Sequence, residues 1–314
     1  MGGLIRALAA RLVQAVLVGV AVGVACFAMV RLLPGDMAYR IAAGRYGMDH
    51  VNTAAAEAVR AELGLDAPWW QQLGLWLAGL ARLELGVSLV SGDPVVEELG
   101  VYLGHTLLLS VVALGLSALV GPPLGVLLGL RPGSAADRAG LVAGAVLRAV
   151  PAFVVGLVLM LVFAVTLGWL PAAGVGGWRE VVLPAATLAV GLAAVSSRVA
   201  RDAMVGVAQA PYLAFARIKG LPEGAVVRRH ALRNAAVPVA AYLGVQLVTL
   251  VEGVVIVETL FAWPGIGHAL VHAVVARDVP MVQGTALAMG LIFVALNAAV
   301  DLACLAIDPR RRAA

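Results

Sequence analysis

Charge is scarce in this 314-residue chain: Asp, Glu, Lys and Arg together make up 13% of it, about half the share usual in soluble domains. So few ionic groups cannot cover the surface of a soluble chain this long, which excludes a water-soluble enzyme or nucleic-acid binder. Lysine occurs once, as Lys219 in I-K-G-L. A nucleotide-binding P-loop needs lysine in G-x-x-x-x-G-K-[ST] to neutralise phosphate, so the chain cannot bind ATP by that motif. Cysteine occurs twice, as Cys26 and Cys304, each within an apolar run. That excludes a disulfide framework and a CxxC metal site. H-E-x-x-H, G-x-S-x-G and any His/Cys cluster are also missing, so no catalytic residue and no metal site is expected.

What is abundant is apolar sequence: 62% of the residues are hydrophobic. A spanning helix needs about 20 such residues to cross roughly 30 Å of hydrocarbon. Six stretches qualify, 12–33, 105–130, 141–168, 181–200, 235–260 and 284–307, and from Leu99 to Leu130 no Asp, Glu, Lys or Arg interrupts. Each is apolar all round, which predicts an all-α bundle of six membrane helices. The first run follows Arg6 and Arg11 as a signal sequence would, but it exceeds 20 residues and has Gly23 where a cleavage site wants a larger aliphatic. It is expected to stay as a helix.

The net charge of +4 marks orientation. With the N-terminus in the cytoplasm, segments 1–11, 131–138, 198–233 and 308–314 hold 14 basic residues, against 6 in segments 34–103, 169–180 and 261–283. This positive-inside bias predicts N-in, C-in topology and removes the case for a nucleic-acid partner. The chain then divides into 1–33 (N-terminus and first span), an extracytoplasmic segment 34–103, a core 104–307 containing a cytoplasmic loop 201–234, and a tail 308–314.

The outer segment carries a turn at Pro34-Gly35-Asp36, a helical stretch from Ala54 to Leu63, and Trp69, Trp70 and Trp76 at spacings that suit an interfacial helix. These tryptophans fit either an aromatic belt at the headgroups or a docking surface for an outer partner. The inner segment predicts two short helices, 210–219 and 223–234, separated by Gly220-Leu221-Pro222, where Gly stops one helix and Pro starts the next. Tyr212, Phe215 and Ile218 recur every three residues as an apolar ridge beside Arg217 and Lys219. Such a helix either rests on anionic lipid or seats in a protein partner, and two of them in one loop favour the partner.

Arg148, Glu252 and Asp301 fall within spans and His105 opens one. An unpaired charge in lipid costs several kcal/mol, so these side chains should face the bundle interior, water or an interface. Glu252 and Glu258 are six residues apart, about 120° around a helix, and make no preformed carboxylate pair. Asp301 is expected to pair with Arg310 or Arg311 or to reach the surface. Glu258 leads into Phe261-Ala262-Trp263-Pro264-Gly265-Ile266-Gly267, a Gly/Pro turn beside an ionisable residue. That fits a gate or permeation element, or simply a helix end meeting headgroups. An ion-coupled secondary transporter using Glu252, Glu258 and Asp301 is the alternative, but the inverted repeat expected of it is not visible in the spacing.

Seven motifs then occur in order: L-P-G-D at Leu33–Asp36; L-G-L-D-A-P at Leu63–Pro68; L-G-V-S at Leu85–Ser88 with S-G-D-P-V at Ser91–Val95; the stretch Tyr212–Pro238; V-E-T-L-F-A-W-P-G-I-G at Val257–Gly267; R-D-V-P-M-V-Q-G at Arg277–Gly284; and Asp308-Pro309-Arg310. In this the chain resembles, over nearly its whole length, the permease subunits of ABC importers of the dipeptide, oligopeptide and nickel type, which are also seen in bacterial glutathione importers. The family's inner loop follows E-A-A-x-x-x-G: Gly220 and Ala216 match the Gly and second Ala, while Ala214 and Phe215 replace Glu and the first Ala. Ala216-Arg217-Ile218-Lys219-Gly220 and His230-Ala231-Leu232-Arg233-Asn234 match the peptide-type variant.

The resemblance implies that Tyr212, Phe215, Ala216, Arg217, Lys219, Gly220, His230, Arg233 and Asn234 form an ATPase-coupling loop. Glu252, Glu258, Phe261, Trp263, Pro264, Gly265 and Gly267 become candidates for the translocation pathway or gate. It further implies a bacterial inner-membrane location, a second homologous permease, two ATP-binding subunits that hold ATP and Mg, a solute-binding protein outside, and small peptides or nickel and other metal chelates as cargo. The family usually has a small or neutral residue at the position of Glu252; an acid there would suit a cationic or metal-bearing cargo, or simply be buried and hydrogen-bonded.

Overall fold

The computed structural model describes residues 2–32, 35–46, 52–62, 65–276 and 278–307. Among them the fold is all-α, with α1 Gly2–Leu32, α2 Met37–Tyr46, α3 Thr53–Glu62, α4 Trp69–Ala81, α5 Val95–Gly129, α6 Ala135–Ala149, α7 Ala152–Leu159 and α8 Trp178–Ala208. There follow α9 Pro211–Ile218, α10 Glu223–Val226, α11 Leu232–Gly253, α12 Val255–Leu260, α13 Ile266–Ala276 and α14 Val279–Ile307. Among the described residues, five helices are long and apolar enough to cross a membrane: Ala9–Met29, Val95–Gly129, Trp178–Ala208, Glu223–Val251 and Val279–Leu302. Along α5, Val111, Leu119 and Leu127 are more than half exposed in the single chain, which in water would be a costly surface and in lipid is a compatible one.

The third predicted span, 141–168, departs from a straight helix. It is two pieces, Ala135–Ala149 and Ala152–Thr166, bent by 97°. Pro151 has no amide hydrogen and pushes the residue before it out of the α region, and Val150 accordingly takes φ −77°, ψ 125°. Arg148, placed by sequence inside this span, stands exposed in the last turn of α6 just before the bend, where its charge suits the helix C-terminus.

The chain forms two compact units, Met1–His105 with Pro264–Ala295, and Thr106–Trp263 with Leu296–Ala314. In the first, α13 turns Ile266, Ala269 and Ala273 onto Leu85, Val95 and Met281, the three- and four-residue spacing of one helical face. The outer motifs meet in the same unit. Asp36 caps α2 by accepting from the Ala38 amide at 2.8 Å and pairs with Arg60, which also lies 3.5 Å from Asp66. The predicted helix Ala54–Leu63 is α3, though Leu63, like Pro34 of the expected turn, lies outside the described residues. Trp69 and Trp70 are exposed as a belt requires, but Trp76 is not part of it: its indole Nε1 donates to the Gly23 carbonyl at 3.1 Å, tying α4 to α1.

In the second unit the apolar spans pack through small residues. Gly125 on α5 faces α8 so closely that a Cβ there would lie 2.0 Å from the Ser197 carbonyl oxygen, and Gly121 and Gly129 one turn to either side are similarly crowded. Glycine every fourth residue lets two membrane helices approach backbone to backbone, where no hydrophobic effect drives them together. One end of this contact is clamped by Asp137, buried at the start of α6, which receives Arg201 Nε at 2.9 Å and Nη2 at 2.8 Å from α8.

Candidate functional site

The inner loop begins where Ala210 leaves the helical region and Pro211 starts α9, a position at which a missing N–H costs nothing. Leu213 and Ala216 are buried against Met204, Val226, Ala231 and Ala235. The opposite face carries the expected ridge: Tyr212, Phe215 and Ile218 are 43%, 58% and 81% exposed. Lys219 Nζ sits 4.6 Å above the centre of the Phe215 ring.

The end of α9 is locked by two crossed hydrogen bonds, Leu221 N to Ala216 O at 3.3 Å and Gly220 N to Arg217 O at 2.9 Å. This is a Schellman termination, which needs a left-handed residue, and Gly220 has φ +79°. Arg217 bridges the turn with a two-pronged grip on Glu223, at 2.9 and 2.7 Å, and the carboxylate holds the guanidinium above its usual range, first by these bonds and then by charge.

The second short helix expected at 223–234 is not a separate element. α10 runs through a wide turn, Val227–Ala231, straight into α11, so the residues from Glu223 to Gly253 form one helical run. His230, Arg233 and Asn234 therefore sit on the polar end of the fifth span. Asn234 Nδ2 donates to the His230 carbonyl at 2.7 Å, supplementing the backbone ladder where the wide turn distorts it.

At the other end of that run, α11 stops at Gly253 and α12 carries Glu258. The fifth span predicted as 235–260 is thus interrupted. Glu258 is fully buried and accepts a 2.6 Å hydrogen bond from Thr106 Oγ1 on α5. The segment after it repeats the termination of α9: Trp263 N bonds to Glu258 O at 2.8 Å and Ala262 N to Thr259 O at 3.3 Å. Here the left-handed residue is Ala262, at φ +46°, which strains the backbone because its Cβ crowds the following carbonyl.

Phe261 packs with Leu183 and Val257, and Trp263 with Leu109, Ala185 and Val254, both side chains almost wholly buried. In the other unit Pro264 is half-buried, Gly265 and Gly267 are buried, and the Gly265 carbonyl accepts from Ala269 N at the head of α13. Of the remaining candidates, Glu252 has its side chain outside the described residues, and its backbone closes α11. Asp301 is exposed on α14, and Arg310 and Arg311 lie outside the described residues. Among the described residues no group of three or more His, Cys, Asp or Glu is placed to hold a metal.

Three buried contacts are not singled out by sequence: Thr106 beneath Glu258, the Asp137–Arg201 clamp, and Ser88 with Asp278. Only the clamp leaves a local signal. Ser134-x-x-Asp137 before an apolar run is a helix-start pattern, and the Ser134 hydroxyl does accept from the Asp137 amide at 3.1 Å.

Residues 121–313 match the family described as binding-protein-dependent transport system inner membrane component. The chain is 38% identical over 286 residues to the glutathione transport system permease protein GsiC of Pectobacterium atrosepticum, covering 91% of this chain and 92% of that one. It is also 38% identical over 311 residues, 96% of this chain and 97% of the other, to a protein named as a peptide transport system permease in Brucella abortus. Among solved structures, the methionine ABC transporter MetNI in an inward-facing conformation shares the fold at TM-score 0.58 and 22% identity, over 69% of this chain and 99% of its own. An amino acid ABC transporter follows at TM-score 0.52 and 16% identity, over 66% and 92%. These likenesses do not favour the ion-coupled alternative. The chain belongs to the binding-protein-dependent transport system inner membrane components: it is a multi-pass permease subunit of an ABC importer, a transport component rather than an enzyme.

Proposed function

We propose that this permease forms half of a translocation pathway, beside a second homologous permease, two ATP-binding subunits carrying ATP and Mg, and an extracytoplasmic solute-binding protein, and that its cargo is a small peptide of the glutathione class. The names of its relatives support the cargo. The coupling role rests on the exposed ridge Tyr212–Phe215–Ile218, an apolar strip on a polar loop, held rigidly by the Gly220 turn and by Leu213 and Ala216 beneath it. Such a strip loses free energy in water and regains it in an apolar groove, here on an ATP-binding subunit. Arg217 and Lys219 flank it and steer the encounter. On the outer side, the buried Glu258 and the strained Ala262 support the segment Glu258–Gly267 as part of the pathway or its gate.

The test is ATP-driven uptake of labelled glutathione and dipeptides into vesicles holding the assembled transporter. Phe215→Ala/Ile218→Ala is expected to lower uptake roughly tenfold or more while the chain still inserts, because apolar anchors dominate such interfaces. Gly220→Pro and charge reversal at Arg217 and Lys219 should also uncouple transport from ATP hydrolysis. Unchanged uptake in all three variants would refute the coupling assignment.

A further inference from the structure

We propose that the cytoplasmic end of the fifth span carries a binding site for the phosphate headgroup of an anionic phospholipid, formed by Arg228, Arg229 and Arg233. These three, with His230, Asn234 and Val237, line an open surface pocket of about 760 Å³.

The pocket follows from the wide turn Val227–Ala231. In a turn of this kind residues five apart are neighbours, which brings Arg228 toward Arg233, where a regular helix would hold the two about 140° apart; Arg229 and Arg233 are four apart and share a face in either case. Like charges this close repel, and nearby cations on the same loop are neutralised: Arg201 by Asp137 and Asp202, Arg198 by Asp202, and Arg217 by Glu223. Arg228, Arg229 and Arg233 are exposed, and among the described residues no carboxylate pairs with any of them. A site with three guanidinium groups and no acid in its lining is built for an anion with several oxygens.

Depth selects lipid as the source of that anion. The helical run Glu223–Val251 has 29 residues, about 43 Å at 1.5 Å per residue. The hydrocarbon layer takes about 30 Å of this, and each headgroup layer roughly 6 Å more. With the outer edge of the hydrocarbon set at Val251, just before Glu252, about 20 residues at 1.5 Å each bring its inner edge to Leu232; the inner headgroup layer then holds Arg228 and Arg229 at phosphate level, and Arg233 is close enough to reach it by extending outward. This is the end that the positive-inside bias places in the cytoplasm, against the anionic leaflet. Val237, one turn deeper and 39% exposed, adds an apolar floor where an acyl chain would start. The patch has no apolar ridge comparable to that of α9, so a groove on a protein is the poorer fit.

The full chain, purified in mild detergent and titrated with palmitoyl-oleoyl phosphatidylglycerol or the matching phosphatidylcholine, provides the test by native mass spectrometry. Phosphatidylglycerol should bind at least tenfold more tightly. Arg228→Gln/Arg229→Gln/Arg233→Gln should weaken it on the order of 100-fold, given about fivefold for each cation near a lipid surface. Arg131→Gln/Arg138→Gln, which removes two exposed cations outside the pocket, should leave it within about twofold. Should the triple variant fail to fold, Arg233→Gln alone is expected to give a several-fold loss. Equal binding of both lipids, or undiminished phosphatidylglycerol binding in Arg233→Gln, would overturn the site. So would displacement of the lipid by equimolar inorganic phosphate, which would mark a soluble anion. If the triple variant kept its lipid but no longer co-purified with ATP-binding subunits, the patch would be a protein interface and the lipid assignment would fail.

Discussion

Thr106 Oγ1 and Glu258 Oε1 are 2.6 Å apart with neither side chain exposed, a hydrogen bond between residues separated by 152 positions. It joins α5 to the short helix that leads into the strained turn at Ala262. Replacing Glu258 by Ala leaves the Thr106 hydroxyl without this acceptor and opens a space. The expected cost is about 2–4 kcal/mol, read as a lowered melting temperature of the detergent-purified chain. Glu258→Gln keeps an acceptor of the same shape and should cost less than half as much. Equal losses in the two variants would mean that the carboxylate charge matters more than the hydrogen bond.

Asp278 holds two motifs together. One of its oxygens accepts from Ser88 Oγ at 2.5 Å and from the Leu89 amide at 3.1 Å, and the other accepts from the Met281 amide at 3.2 Å at the start of α14. Asp278→Ala orphans three donors at a buried place, for a loss of about 3 kcal/mol or more. Limited proteolysis should show cleavage between Leu83 and Pro94 that the unaltered chain resists.

The contact between α5 and α8 tolerates no side chain at Gly125, because the nearest atom is a backbone carbonyl that cannot step aside. Gly125→Ala should reduce the yield of folded protein sharply, with overpacking costing about 1–3 kcal/mol or more. Gly115 lies on the same helix with nothing within 4 Å of a Cβ. Gly115→Ala should therefore raise stability, by about 0.5–1 kcal/mol. The opposite signs can be read in one thermal-shift experiment.

Ala262 and Gly220 occupy equivalent places in two similar helix ends, at φ +46° and +79°. Ala262→Gly should relieve strain and stabilise by up to about 1 kcal/mol, while Gly220→Ala should introduce it, at about 1–2 kcal/mol. If Ala262 strain serves gating, the Gly variant will also show altered uptake despite its higher melting temperature.

Hydropathy was sufficient to locate the five spanning helices, because a lipid-facing helix must be apolar over most of its length whatever its neighbours are. The three-residue repeat of Tyr212, Phe215 and Ile218 likewise marked one face of α9, and Gly220-Leu221-Pro222 marked its end. The bend at Pro151 was signalled by residue type, but its size was not, since proline in a membrane helix yields anything from no kink to a break. The merger of 223–234 with the fifth span was hidden because Arg228 to Asn234 read as a soluble segment; only the length of the helical run shows that polar residues can overhang a bilayer. The pairings of Thr106 with Glu258, Ser88 with Asp278 and Arg201 with Asp137 were illegible because a hydrogen bond between residues 64 to 190 positions apart leaves no periodic trace.

By itself, then, the sequence determined the solvent, the number of apolar runs, the charge bias between the loops, and the turn residues that close α9. Each follows from composition or from local backbone preference. The tertiary structure decided which face of α9 is buried, which carboxylates are paired, and that Arg228, Arg229 and Arg233 share one pocket. Those depend on what lies opposite a side chain in space, and in a chain with this few charges every pairing leaves the remaining ones more conspicuous.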